Sequence, residues 1–587
     1  MGWNQQYEEL DVPPRKGEPV DELSSPESIK SHERPPLRKI DQYVRAELPC
    51  LSKRATVAVL SCMGFIIMFG MRTSMGIVKL QFENKTKVWG EDTASAIESA
   101  IFWGYFITQI PGGLIAAAYP ANKLFGFAIG TSSLLNFFIP FTYKHPPFII
   151  TLKVMQGLVE GVTYPACHGI MRYWAPPLER SKLATLAFSG CYGGVMFAML
   201  ICGVLVDYFG PMSPFYFYSV IGMIWYVAWV WLVFEKPALH PCIETKEMMY
   251  IENSLGKVTE TYVAPTLQNT PWLTFFKSMP CYAIFVANFC RSWNFYLLVL
   301  NQPIYFSDTY HESIEKNTIL GALPHFLMTI IVPSGGILAD RIRRNGILTT
   351  TQVRKLFNCG GFGMEATFFI VMAYCNDFEL AIIALSIGVA FSGFAISGFN
   401  VNHLDIAPRY ASILMGMSNG IGTIAGCICP YVVNKILGEE RTIERWREVF
   451  ILSAFIHYAG IIFYGIFASG DLQEWADPTA EEEKQWNQMA EAGNIKSSFA
   501  NRNNSVNYGS VDKPLPPRPP LPKQLTQESS LQNVPPQSMP PSAPPAQQQT
   551  NLTNPFTGRV TNPFRQEAVQ PEAQDTYMYG TVNDRTY

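Results

Sequence analysis

The chain has 587 residues, of which 48% are hydrophobic and 13% aromatic while only 16% are charged. Its formal net charge of −3 excludes the basic surface that phosphate backbones require, and with it nucleic acid as a partner. Apolar windows of about 20 residues, each long enough to cross about 30 Å of hydrocarbon, recur along the middle of the chain and exclude a soluble fold.

Residues 1–54 are polar and proline-rich and are expected to form a disordered cytosolic tail. Within it, Tyr7-Glu8-Glu9-Leu10 fits a tyrosine-type sorting signal, so Tyr7 and Leu10 are its candidate contacts. No N-terminal signal peptide is visible, and the first span is expected to act as its own insertion signal. Twelve spans follow and fall into six plus six. The expected architecture is an all-α membrane protein of twelve transmembrane helices in two pseudo-symmetric six-helix bundles, residues 55–234 and 280–468. A charged cytosolic loop, 235–279, separates them, and a disordered Pro-rich cytosolic tail, 469–587, ends the chain.

Orientation follows from the basic residues. Loops after even-numbered spans carry Lys123, Arg172, Arg180, Lys182, Arg341, Arg343, Arg344 and Arg354, which places those loops and both termini in the cytosol. The sequon at Asn84, after span 1, is then lumenal and open to glycosylation. The 12 cysteines are scattered without metal-ligand spacing, so no metal and no bound cofactor are expected.

Ionisable residues inside spans cost about 2.5–3.5 kcal/mol each at the bilayer centre, so they usually face a cavity or each other. Span 1 contains Arg72, and span 7 contains Arg291 with Tyr296 five residues on. If the two halves are related by a repeat, these arginines face one another across the centre. Guanidinium stays protonated and matches carboxylate geometry, so the pair suits an anionic substrate. Snorkelling or purely structural pairing is the competing reading. Span 2 sets Glu98, Phe102, Tyr105 and Gln109 on one face, with Glu98 read either as a solvated rim or as a proton-coupling group. Span 4 stacks Lys153, Glu160 and Tyr164 on one face and adds His168. A packing role for the Lys–Glu pair competes with a place in the transport pathway. His325 and His403 can each titrate near neutral pH or serve as hydrogen-bonded packing residues, and His168 and His325 join Glu160 and Glu98 as coupling candidates.

Between spans 8 and 9, Gly335–Arg344 (GGILADRIRR) resembles the G-x-L-A-D-R-x-x-R-R turn of the major facilitator superfamily, making Gly336, Asp340 and Arg341 candidate conformational residues. An eroded copy between spans 2 and 3 keeps Gly112 and Gly113 but has Ala117 at the Asp position. Such repeats imply two bundles that rock around a midplane site.

Longer stretches are more specific. Gln156–Gly169 (QGLVEGVTYPACHG), Trp174–Ser181 (WAPPLERS) and Gly393–Tyr410 (GFAISGFNVNHLDIAPRY) closely resemble the vesicular glutamate transporters, in the organic anion branch that includes sialin and type I phosphate transporters. The resemblance covers about residues 50–478 and excludes both tails. It implies L-glutamate uptake into synaptic or other acidic vesicles, driven mainly by a lumen-positive potential, with lumenal protons and chloride as modulators. Sodium-coupled phosphate transport is also linked to the family. The resemblance carries substrate-binding roles onto Arg72 and Arg291, an acidic role onto Glu160, and pocket roles onto Tyr164 and Tyr296. It also marks two departures: Lys153 stands where well-known vertebrate members have Arg, and Glu98 where they have His. Lys keeps the charge without the planar fork, so affinity for chloride or substrate at that position is expected to differ. The alternative within the fold is a carrier for an acidic sugar, another organic anion or inorganic phosphate, with proton or sodium coupling. No nucleophile-plus-base spacing supports an enzyme, while a channel or scaffold predicts normal function once Arg72 and Arg291 are neutralised.

In the C-terminal tail, Pro516-x-Arg518-Pro519-Pro520-x-Pro522 forms a polyproline ligand with a basic anchor, resembling ligands of endocytic SH3 proteins such as endophilin. Asn554-Pro555-Phe556 and Asn562-Pro563-Phe564 resemble EH-domain ligands. Together they point to retrieval from the plasma membrane, with a passive spacer as the competing reading.

Overall fold

A computed structural model describes residues 37–81, 91–255, 265–310, 314–438 and 441–476. Tyr7, Leu10, Asn84 and the SH3 and EH motifs of the tail, Pro516 to Phe564, lie outside these residues.

All regular structure among the described residues is helical. In chain order the helices are α1 (Lys53–Gln81), α2 (Glu91–Ala118), α3 (Ala121–Thr142), α4 (Pro146–Glu160), α5 (Thr163–Trp174), α6 (Arg180–Phe209) and α7 (Ser213–Leu232). Two shorter ones follow, α8 (Thr245–Leu255) and α9 (Trp272–Phe275). The remainder are α10 (Met279–Tyr310), α11 (Ile314–Arg344), α12 (Thr350–Ala373), α13 (Phe378–Ala395), α14 (Val401–Ile406), α15 (Ala411–Leu437) and α16 (Ile443–Phe467). Eleven spans among the described residues are long and apolar enough to cross a membrane. The pair α4 and α5 stands where the sequence reading places one further, unbroken helix.

The break in that helix has a local cause. Pro165 has no N–H to return to the Gly161 carbonyl, so the ladder cannot continue through this turn. Gly161 closes α4 by donating to the Gly157 carbonyl at 2.9 Å, and Ala166 resumes the ladder on Val162 at 2.9 Å. The Thr163 hydroxyl donates to the Glu160 carbonyl at 2.7 Å. The break therefore falls immediately after the acidic residue of span 4. A second irregularity, a π-helical turn at Ile396–Asn400, joins α13 to α14. Such turns widen the helix and are frequent at functional sites.

Helix α1 lies along α6, α2 along α4, and α3 against α7 and α4, while α12 packs on α13 and α16 and α10 on α15 and α16. Between these two groups, α6 runs along α11 and α2 along α15. Lipid is as apolar as a leucine side chain, so backbone proximity rather than hydrophobic burial holds such helices together. At the α2–α4 crossing, a Cβ on Gly157 would collide with the Ile101 carbonyl and one on Gly104 with the Val154 carbonyl. The two glycines let the helices touch backbone to backbone, which sets where Glu160 sits.

The first described segment, assigned to the disordered tail by the sequence reading, packs onto the bundle from Leu37. Arg38 donates to Asp41 at 2.7 Å and to the Trp231 carbonyl at 2.7 Å, and Asp41 is buried. Glu247 of α8 accepts the first backbone N–H groups of α1, from Lys53 at 3.1 Å and Arg54 at 3.2 Å, capping that helix from almost 200 positions away. Beside them the His240 ring is buried against Phe234 at 4.7 Å. Burial, reinforced by Lys53 and Arg38, holds its imidazole down from 6.5 to about 4.

Two measurements follow from this packing. Gly157→Val overpacks the α2–α4 crossing and should destabilise the fold by about 1–3 kcal/mol, seen as an earlier thermal midpoint in detergent. A His240 held neutral in the docked state takes up its proton first when undocked. Docking of residues 37–52 should therefore weaken as pH falls from 6.5 towards about 4 and stay constant above that window. Limited proteolysis ahead of α1 should rise on acidification, and His240→Gln should flatten that response.

Candidate functional site

Helices α1, α3 and α4 bring one compensated cation together. Arg72 Nε donates to Glu160 Oε2 at 2.6 Å, and the Ser132 hydroxyl donates to Glu160 Oε1 at 2.5 Å. Gln156 donates to Ser132 at 3.0 Å and accepts from Lys153 Nζ at 3.0 Å, so lysine, amide, hydroxyl, carboxylate and guanidinium form one chain. Glu160 and Lys153 are almost wholly buried. The Arg72 guanidinium lies over the Tyr105 ring at 4.4 Å and the Phe69 ring at 5.2 Å. Its Nη2 is buried with no hydrogen-bond partner among the described residues.

Arg291, on α10, is held differently. It donates to the Tyr192 hydroxyl at 3.0 Å and lies over the Phe295 ring at 4.5 Å. Among the described residues it makes no ion pair. Phe69 and Phe295, each carrying one of the two arginines, stand edge to face 6.3 Å apart. Arg291 lines a central cavity together with Tyr164, Tyr192, Asn288, Asn400 and Asn419. The Tyr164 hydroxyl lies 2.8 Å from the Cys191 thiol, and Asn419 donates to Tyr105 at 2.7 Å and Gln109 at 3.0 Å, tying α15 to α2. The arrangement offers one unneutralised guanidinium, one guanidinium nitrogen left over beside a carboxylate, and amide and hydroxyl groups between them. Chemically that is a receptor for a small anion with several oxygen atoms.

The remaining residues named from the sequence fall around this core. Tyr296 packs edge to face on Phe102 at 5.3 Å, outside the cavity wall. Glu98 is half-buried beside Gly76 of α1. His168 sets one ring nitrogen 3.2 Å from the Tyr164 carbonyl and the other 3.0 Å from the Asn400 carbonyl, so a neutral ring can serve only one of them. The Asn400 carbonyl also faces His403 Nδ1 at 3.0 Å, and the two rings are 5.1 Å apart. His325 is buried on the wall of a second cavity, which shares Arg291 and Tyr192 with the first.

The end of the bundle that carries both described termini is closed by charge. Asp405 accepts from Arg354 at 2.6 Å and from Arg180 at 3.1 Å, and Arg354 also reaches the Ser181 hydroxyl at 2.8 Å. Asp340 accepts the first-turn N–H groups of α6, from Ser181 at 3.2 Å and Lys182 at 2.7 Å. Gly336 lets α11 approach, since a Cβ there would strike Thr185 and the Ser181 carbonyl. Arg341 is exposed, and the neighbouring Arg343 makes the cross-contact instead, to the Pro177 carbonyl at 2.9 Å.

The sequence reading did not single out Tyr192, Ser132, Asn419, Glu365 or His457. Glu365 and His457 were accessible to the rule that selected Glu160, being ionisable residues near the middle of spans. Tyr192 and Ser132 carry no such signal, because hydroxyl residues are common in membrane helices.

A family model described as Major Facilitator Superfamily matches residues 60–430. The chain is 47% identical over 499 residues to vesicular glutamate transporter 1 of Bos taurus, covering 80% of this chain and 89% of the relative. It is 48% identical over 482 residues to vesicular glutamate transporter 2 of Homo sapiens, with 78% and 83% covered. To vesicular glutamate transporter 3 of Danio rerio it is 50% identical over 443 residues, with 73% and 75% covered. Among solved structures, the E. coli fucose:proton symporter is similar with a TM-score of 0.50 at 14% identity, covering 71% of this chain and 100% of that one. A bacterial homologue of the iron transporter ferroportin, in an outward-facing state, gives 0.51 at 13% identity, with 70% and 98% covered. At such identities the likeness concerns the fold alone.

Removing the carboxylate of the closing network tests its role. Asp405→Asn leaves Arg354 and Arg180 buried without a counter-charge and should cost about 3–5 kcal/mol. The expected readouts are an earlier thermal midpoint and faster thiol labelling of a Ser397→Cys reporter beneath the network.

Proposed function

The chain belongs to the vesicular glutamate transporter family of the Major Facilitator Superfamily, and on that premise we propose that it is a secondary carrier loading L-glutamate into vesicles. The observation that carries this reading is Arg291, a cavity-lining guanidinium with hydroxyl and aromatic partners but no ion pair among the described residues. One substrate carboxylate engages its fork of donors, and the other takes the spare Nη2 of Arg72. Glu160 and the Lys153–Gln156–Ser132 chain hold Arg72 in place, so that its approach to substrate does not need a mobile side chain.

Transport proceeds by rocking of the two helix groups about this site, with the Asp405 and Asp340 networks opening when the cavity turns to the side of the termini, which we assign to the cytosol. Membrane potential is the main drive. One charge moved through 100 mV is worth about 2.3 kcal/mol, or roughly fiftyfold accumulation of a monovalent anion. Three cations, Arg72, Lys153 and Arg291, against the two carboxylates Glu160 and Glu365 leave an excess of positive charge that favours small anions, consistent with chloride as a modulator alongside protons. Sodium-coupled phosphate transport would use the same cationic site. The tail motifs belong with endocytic SH3 and EH partners that return the carrier from the plasma membrane.

Uptake of labelled L-glutamate into proteoliposomes under a lumen-positive potential tests the proposal. Wild-type uptake should collapse with the potential, and Arg291→Ala should lose at least about thirtyfold, the equivalent of roughly 2 kcal/mol for an unpaired buried charge contact. Potential-driven uptake of phosphate or an acidic sugar in place of glutamate would retain the carrier and its arginine and replace the substrate.

A further inference from the structure

Behind Arg291 lies a second titratable pair that the transport reading leaves unused. His457 of α16 places Nε2 2.8 Å from Glu365 Oε2 of α12, with His457 fully buried and Glu365 nearly so. Phe362 stacks on the imidazole at 4.6 Å, and His457 Nδ1 has no hydrogen-bond partner among the described residues. Glu365 lines the second cavity, whose wall also includes Arg291 and Tyr192. Thus a carboxylate backed by an imidazole opens onto the same space as the arginine that carries no ion pair.

We propose that Glu365 and His457 form a proton-binding site whose occupancy sets the anion affinity of Arg291. The proposal deepens the carrier reading above and rests on it. Without the shared proton the pair carries one negative charge, which faces Arg291 across the cavity and competes with a substrate carboxylate. With the proton the pair is neutral, either as imidazolium and carboxylate or as imidazole and carboxylic acid, and Arg291 is left to the substrate. Proton and anion therefore bind with positive coupling, each raising the affinity of the other by the same factor. The proton enters from water in the cavity and returns to it, with no bond made or broken elsewhere.

The other groups facing Glu365 do not remove this charge difference. Arg291 on α10 is the cation it acts upon, Tyr192 on α6 already accepts from Arg291, and His325 lies on α11. Helix α13 contributes Ser392, and α16 contributes His457 itself. The Cys290 thiol of α10 lies next to Gly460 of α16, one turn beyond His457.

The test compares binding of labelled L-glutamate and inorganic phosphate across pH to the full chain in detergent, for wild type, Glu365→Gln and His457→Gln. Wild-type affinity should fall by at least about fivefold as pH rises through the titration of the pair, the lower bound of ordinary site coupling. Glu365→Gln removes the negative charge and should hold the high-affinity state at every pH. His457→Gln keeps a hydrogen bond to a carboxylate that remains charged, and should hold the low-affinity state. A pair with only a packing role would weaken binding in both variants, so opposite directions identify the proton site and a common direction overturns it. An unchanged pH profile in Glu365→Gln also overturns it while leaving the carrier reading intact. Absence of any Arg291-dependent anion binding by wild type overturns both.

Discussion

Charge held where water cannot solvate it must be compensated, and the interior of this bundle is arranged around how far that compensation is carried. Arg72 has its carboxylate, Glu160, at 2.6 Å, and that carboxylate is further fixed by Ser132. Arg291 has an aromatic face and one phenol. Breaking a buried pair costs about 3–5 kcal/mol, so the first arrangement is rigid. The second has no ion pair among the described residues, with the Glu365 carboxylate only across the cavity, and so leaves a demand for an anion. A cavity with that residual demand is a binding site by the same physics that would make it a defect in a protein without a ligand.

Placing these charges depends on backbone geometry more than on apolar contact. Gly157 and Gly104 bring α2 against α4, and Pro165 breaks the helix directly after Glu160, so the carboxylate sits at the end of one helix and faces across to α1. The π-helical turn at Ile396–Asn400 points a backbone carbonyl at two imidazoles and lines the cavity. These irregularities lie near the cavity rather than at the lipid-facing surface, as expected where unsatisfied backbone is tolerated only beside polar partners.

At the end that carries the described termini the two helix groups meet through charged and capped contacts, beside the apolar packing of α6 on α11 and α2 on α15. Asp405 between two arginines and Asp340 on the first turn of α6 are interactions that can be satisfied in one arrangement and replaced by water in another. Apolar interdigitation would have to be rebuilt at each cycle, whereas a charge network exposed to water on opening loses little. The similarity to sugar and metal carriers at 13–14% identity belongs to this scaffold, while Arg291 on the cavity wall and the Arg72–Glu160 pair are side chains set inside it.

Composition and periodicity alone determined that the chain is a helical membrane protein, because twenty-residue apolar windows have few other physical solutions. The rarity of ionisable side chains in such windows likewise marked Arg72, Glu160 and Arg291, and the same rule extended further would have reached Glu365 and His457. What only the tertiary structure decided is which of these charges meet. Arg72 and Glu160 are 88 positions apart, and Glu365 and His457 are 92 apart, distances over which no helical period carries information. The unequal treatment of the two arginines was hidden for the same reason: whether a charge is neutralised depends on a partner delivered by another helix. Lys153 and Tyr296, equally prominent in the sequence, turn to Gln156 and to Phe102 once the helices pack. The order of the segment from Leu37 was invisible because its anchors stand almost 200 positions further on, Trp231 at the end of α7 and His240 in the stretch after it.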